Sequence, residues 1–148
     1  MNHAEVITLV TDRPFEEIFL GEKASFVKTI EAKDIDAFAQ ITGDDNPVHI
    51  DDEFAAKSLF KKRIAHGMLS ASLISTVLGT KLPGANTIYL SQEAKFLAPV
   101  YIGDTLTAEV AVVEIREDKR ILTLHTTVIN QEGKTVVDGQ ARVMKAKS

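Results

Sequence analysis

The sequence predicts an α+β fold in which an antiparallel β-sheet wraps round one central α-helix. Two observations carry that expectation. Across residues 67–78 the chain runs through Met68, Leu69, Ala71, Ser72, Leu73, Ser75, Thr76 and Val77, small or apolar nearly all the way, and it meets no charge until Lys81. A helix of that composition is expected to be buried on every side. Beyond Pro83 and Gly84 come four segments rich in Val, Ile, Thr and Leu, at 87–96, 105–115, 121–130 and 135–144, which have the texture of strands. Each strand needs cover for its apolar face, and this is the only long apolar helix on offer. With 148 residues, 45% of them hydrophobic, the chain makes a single domain over 1–148.

The elements follow in order. Residues 1–23 mix apolar and acidic side chains and are interrupted by Pro14 and Gly21, so they are expected to form an extended lead-in. Residues 24–30 form a strand. Asp34, Ile35, Phe38, Ala39 and Thr42 then recur at helical spacing until Gly43 stops them. Residues 43–52 crowd Gly, Asp, Asn and Pro together, which is turn chemistry, and 53–59 have room for one or two helical turns. The apolar helix comes next, and then the four strands. The breaks at 117–119 and 131–134 are short enough for hairpins, so the sheet should be antiparallel.

Composition narrows the function. The net charge of −4, with lysine and arginine scattered among acids, provides no basic stripe for a nucleic acid. There is no cysteine, so disulfides, thiolate metal sites and a cysteine nucleophile are excluded, and the cytoplasm is the expected compartment. The acidic start lacks a basic lead into an apolar run, and no stretch approaches the roughly 20 apolar residues of a membrane span.

The densest concentration of reactive side chains is Thr42-Gly43-Asp44-Asp45-Asn46-Pro47-Val48-His49, followed by Ile64-Ala65-His66-Gly67-Met68-Leu69. Addition of water to a double bond conjugated to a carbonyl needs an acceptor for the water proton, a donor for the α carbon and a hydrogen bond for the enolate oxygen. Asp44 and His49 have the chemistry for the first two, with Pro47 stiffening the turn between them. The Gly67 amide, at the start of the apolar helix, is suited to the third. The same residues also fit ordinary roles: turn formers, a helix cap at Asp44, a surface His49 and a core His66. Asp45, Asp51 and Asp52 fit solvated charges, and no metal is expected. His3 and His125 are incidental. Lys61, Lys62 and Arg63, the basic run nearest these segments, have the character of a solvated face, with contact to substrate phosphates as the alternative.

Asp44, Asn46, Pro47 and His49 nevertheless match, at the right spacing, the hydratase motif of the MaoC-like (R)-specific enoyl-CoA hydratases, which the chain resembles. The resemblance continues through Phe54-Ala55, residues 64–69, Leu78-Gly79, Leu82-Pro83-Gly84, Tyr89, Phe96, Pro99-Val100 and Gly103-Asp104, covering residues 24–145. It implies the hot-dog fold, a sheet wrapped round a central helix. It also implies an (R)-specific 2-enoyl-CoA hydratase with Asp44 and His49 as the catalytic pair, Gly67 as the oxyanion donor and Ser75 in support. Asn46, His66 and Met68 would lie against the substrate, His66 through a structural hydrogen bond. Coenzyme A would enter as part of an acyl-CoA substrate, with no separate cofactor, and the assembly would be a homodimer or a dimer of dimers. A 3-hydroxyacyl-acyl-carrier-protein dehydratase, a thioesterase and a non-catalytic acyl-CoA-binding protein are the alternatives. Polyhydroxyalkanoate precursor supply, fatty acid breakdown and fatty acid synthesis would all accept the reaction.

Overall fold

The computed structural model describes residues 10–147. The first nine residues of the lead-in, His3 among them, lie outside the described residues. The remainder of the lead-in is not extended throughout, because a 3₁₀ turn at Phe15–Glu17 carries Phe15 and Ile18 into the core. Two apolar side chains at this spacing are buried together only if the backbone turns between them.

The elements that follow are β1 (Lys23–Thr29), α1 (Ala32–Thr42), α2 (Pro47–Ile50), α3 (Asp52–Ala56), α4 (Gly67–Thr80), β2 (Thr87–Phe96), β3 (Thr105–Arg116), β4 (Ile121–Ile129) and β5 (Thr135–Lys145). The five strands form one antiparallel sheet in the order β1-β3-β4-β5-β2. β3, β4 and β5 are joined by the two expected hairpins. β2, by contrast, pairs with β5 at the far edge, so the chain from Phe96 to Thr105 crosses over to the other side of the sheet. Every strand contacts α4.

Local chemistry sets the short helices that overlie this core. Glu31 and Asp34 close a reciprocal capping box at the start of α1. The Glu31 N–H, and then Lys28, hold the Asp34 carboxyl below the ordinary range. Gly43 ends α1 at φ 79°, donating its N–H to Ala39 O, a left-handed backbone that favours glycine. Asn46 caps α2 through Val48 N, with Pro47 at its first position. Asp51 caps α3 through Phe54 N.

α4 corrects one expectation, since it is not buried all round. Leu69, Leu73, Ile74, Val77 and Leu78 face the sheet and are essentially inaccessible, whereas Met68, Ser72, Ser75 and Gly79 lie on one open stripe. The sheet curls round only part of the helix, and the small residues that made α4 look uniformly buried form the side it leaves open. No helix among the described residues is long and apolar enough to cross a membrane.

The β2–β5 contact depends on a missing side chain. A Cβ on Gly139 would lie 1.8 Å from Glu93 O on β2, so any larger residue must push the strands apart. Gly139→Ala is expected to destabilise the fold by about 1–3 kcal/mol, read as a lower urea midpoint; an unchanged midpoint would show that β2 yields freely.

Candidate active site

The loop from Thr42 to Ile50 is folded on itself before it touches anything else. Asp44 N–H donates to Thr42 Oγ1 at 3.2 Å, Asn46 N–H donates to Asp44 Oδ1 at 3.3 Å, and Val48 N–H donates to Asn46 Oδ1 at 3.3 Å. Asp, Asn and Thr in series thus spend their oxygens on the turn's own amides, which holds Asp44 and His49 at a set separation. Asp44, Asp45 and Asn46 stay exposed while His49 is half-buried.

Two histidines then fasten the loop to the rest of the molecule. His49 Nδ1 lies 2.8 Å from Ile64 O, and His66 Nε2 lies 2.9 Å from Asp44 O. A carbonyl only accepts, so both nitrogens carry their protons. That leaves His49 Nε2 with a free lone pair, the form required of a proton acceptor. His66 is 3% exposed, stacks on His49 with centroids 3.9 Å apart, and also meets the Phe38 ring, tilted by 48°, at 4.8 Å. It therefore fixes Asp44 through the backbone and His49 through ring contact.

Arg63 is a correction. It belongs to a basic run expected to be a solvated face, yet its side chain is 10% exposed. Its Nε donates to His49 O at 2.6 Å and its Nη2 pairs with Asp36 at 2.6 Å. The fold draws it inward because the carbonyl at the end of the one-turn α2 needs a donor. His125, treated as incidental, pairs with Asp138 at 2.7 Å on the sheet.

Asp44, His49 and His66 each offer a ligand-type atom, all within 4.8 Å of one another. The two rings are inclined by only 28°, so their in-plane lone pairs run side by side and do not converge at the roughly 2 Å of a metal–nitrogen bond. The arrangement fits a water molecule better than an ion.

Gly67 opens α4, where first-turn N–H groups have no intrahelical acceptor and carry the positive end of the helix dipole. A Cβ there would fall 2.7 Å from Phe96 Cδ1, so only glycine lets that ring lie over the helix start. A cavity of about 320 Å³ reaches Gly67 between Phe60, Ile64, Phe96 and Val100. A second cavity, about 470 Å³, runs along the open stripe of α4 between Phe38, Met68, Ser75, Tyr89 and Gln92. Ser75 is eight residues beyond Gly67, about 12 Å along the axis. It therefore lines this second cavity and does not join the Asp44–His49 cluster. Met68 is 62% exposed at the mouth of the same cavity. Across from Ser75, Tyr89 OH donates to Gln92, which donates to Thr126 Oγ1 at 3.0 Å, and burial pushes the Tyr89 phenol above its ordinary value. Arg63, Phe38, Phe96 and Gln92 are the residues that sequence reasoning left out of the site. Phe96 is marked only as a position of the family resemblance, and no motif spacing marks the other three.

A family model described as a MaoC-like domain matches residues 17–134. The chain is 50% identical over 130 residues to the (R)-specific enoyl-CoA hydratase of Rhodospirillum rubrum, covering 88% of this chain and 90% of that protein. It is 46% identical over 128 residues to the (R)-specific enoyl-CoA hydratase of Aeromonas caviae, covering 86% and 96%. Its fold superimposes on the unliganded R-hydratase of Pseudomonas aeruginosa with a TM-score of 0.90 at 45% identity, covering 94% of this chain and 89% of that one.

Replacing Arg63 by methionine keeps the aliphatic bulk and removes the donor to His49 O. Arg63→Met is expected to cost about 1–3 kcal/mol of stability and to speed amide exchange across residues 44–51. Unchanged exchange in that stretch would show the Arg63 bond to be idle.

Proposed function

The chain belongs to the MaoC-like domain family, and from that premise we propose that it is an (R)-specific 2-enoyl-CoA hydratase whose catalytic pair is Asp44 and His49. The observation that carries the assignment of the pair is the 2.8 Å approach of His49 Nδ1 to Ile64 O, an acceptor that calls for the Nδ1–H tautomer. The Nδ1–H is committed to Ile64 O, so Nε2 presents a lone pair beside the Asp44 carboxylate. Two acceptors side by side take the two hydrogens of one water and leave its oxygen lone pairs free to attack.

In this reading the water oxygen bonds to C3, and the C2–C3 π electrons move toward the thioester carbonyl to give an enolate. The proton that leaves the water passes to C2, so the enzyme ends with the protonation it began with. The Gly67 N–H faces the thioester oxygen, where negative charge develops, and stabilises it without reorganising. His66 holds the backbone of Asp44 and supports the ring of His49, which makes it a positioning residue. Asn46 shapes the turn. The acyl chain occupies the cavity beside Met68 and Ser75, where apolar walls suit methylenes. No cofactor is required beyond the coenzyme A of the substrate, and the cysteine-free, acidic composition suits the cytoplasm.

The proposed assembly is a homodimer. β2 is an edge strand with Ile88, Tyr89, Leu90 and Phe96 all more than 40% exposed, beside the open stripe of α4. Pairing of β2 with its copy satisfies the edge and covers that stripe. Sedimentation is expected to give twice the 16.2 kDa of one chain, and Leu90→Asp should shift the protein toward monomer; a monomeric parent protein would refute the pairing.

Following the loss of enoyl-thioester absorbance with crotonyl-CoA tests the reaction. The parent protein is expected to form (R)-3-hydroxybutyryl-CoA, with Asp44→Asn and His49→Ala each slower by at least about a hundredfold. Variants that retain full activity would remove the pair from the mechanism, and an (S) product would overturn the stereochemical assignment.

A further inference from the structure

Two cavities adjoin the first turn of α4, and the acyl chain of the proposed reaction takes only the one beside Met68 and Ser75. The other, about 320 Å³, reaches Gly67 between Phe60, Ile64, Phe96 and Val100. Its walls are apolar with one exception. Ser70 carries the only polar side chain among the described residues that line it. That side chain is buried, at 1% exposure, and its Oγ has no hydrogen-bond partner among the described residues. Other hydroxyls of α4 behave differently. Ser72 Oγ donates to Leu69 O at 2.5 Å and Thr80 Oγ1 donates to Thr76 O at 2.6 Å. The carbonyl that Ser70 would use in the same way, His66 O, already accepts the N–H groups of Leu69 and Ser70 at 3.0 and 3.4 Å.

A buried hydroxyl without a partner costs stability that alanine at the same place would not cost. A group of that kind on the wall of a cavity points to a partner that comes with the ligand. A thioester has two arms. With its carbonyl oxygen on the Gly67 N–H and its acyl arm along the open stripe of α4, the arm beyond sulfur is left for the cavity that Ser70 lines. Ser70 is three residues beyond Gly67, about 4.5 Å along the axis, and helical side chains lean back toward the N-terminus. In a coenzyme A thioester, two methylenes separate sulfur from an amide N–H, which sets that N–H a distance of the same order from the carbonyl oxygen. An amide N–H drawn between apolar walls needs an acceptor, and the Ser70 hydroxyl is the one side-chain oxygen those walls supply.

We propose that the sulfur arm of the thioester lies in the cavity between Phe60 and Phe96, and that Ser70 Oγ accepts its first amide N–H. Ser70 is then a specificity-determining residue, which selects thioesters whose arm carries an N–H at that distance from sulfur over those that lack it. The inference rests on the hydratase reading and adds to it a residue outside the proton transfers, which stay with Asp44 and His49.

The test uses three crotonyl thioesters: those of coenzyme A, of N-acetylcysteamine, and of 2-mercaptoethyl acetate, in which an ester oxygen replaces the amide N–H. Each is given to the parent protein and to Ser70→Ala. The parent is expected to favour the N-acetylcysteamine thioester over its ester counterpart by at least about tenfold in kcat/KM. Ser70→Ala should lose about tenfold on both amide-bearing thioesters and less than about twofold on the ester, a split that general damage to the fold or to the catalytic pair does not produce. An equal loss on amide and ester, or no loss on the amides, makes Ser70 a packing residue and overturns the proposal. Equal turnover of amide and ester by the parent overturns it without recourse to a variant, and leaves the hydratase reading intact if crotonyl-CoA is hydrated. Failure of the parent on all three thioesters removes the hydratase reading and this inference with it.

Discussion

His66 is polar, 3% exposed, and placed where the chain enters α4, so its hydrogen-bonding demand constrains everything around it. Its Nε2–H can be satisfied only by an acceptor brought down onto the core, and the carbonyl of Asp44 is that acceptor. One bond thereby ties a loop of turn-forming residues to the first turn of the most buried helix. The same ring supports His49 by stacking. His66 thereby helps to register Asp44 and His49 against the Gly67 amide, which comes from a separate segment.

Arg63 fixes the opposite end of the loop. With His66 holding Asp44 and Arg63 holding His49 O, the one-turn helix α2 is pinned at both ends by side chains from the segment leading into α4. A four-residue helix has almost no stability of its own, and its caps, Asn46 and Pro47, only shape it locally. These two long-range anchors, with the bond from His49 Nδ1 to Ile64 O, hold the loop rigid. His66 and Arg63 bind backbone carbonyls and leave the Asp44 carboxylate and His49 Nε2 available for the proposed proton transfers.

The sheet and helix meet unevenly, and that unevenness makes room for a ligand. Leu69, Leu73, Ile74, Val77 and Leu78 fill the concave side of the sheet, while Met68, Ser72, Ser75 and Gly79 face out beside the β2 edge. Small residues on that stripe keep the cavity open, and the exposed apolar side chains of β2 border it. The proposed acyl cavity and the proposed subunit contact thus share one side of α4, so a change in subunit pairing would also reshape that cavity.

The α+β class, the helix begun at Gly67, the antiparallel hairpins of β3 to β5 and the folded turn of Asp44, Asn46, Pro47 and His49 were all legible in the sequence. Each rests on local signals: an uncharged apolar run, short polar breaks, and Asp, Asn, Pro and His at fixed spacing. Three features were decided only by the tertiary structure. The pairing of β2 with β5 depends on Gly139 meeting Glu93 O across the sheet, a long-range steric fit with no local trace. The open stripe of α4 looked identical to its buried face because serine, glycine and alanine suit either one. The inward turn of Arg63 looked like part of a basic surface run, because the carbonyl it serves, at His49, is fourteen residues away. Local composition fixes which elements form, but which neighbour a buried donor or a bare glycine meets is settled by packing alone.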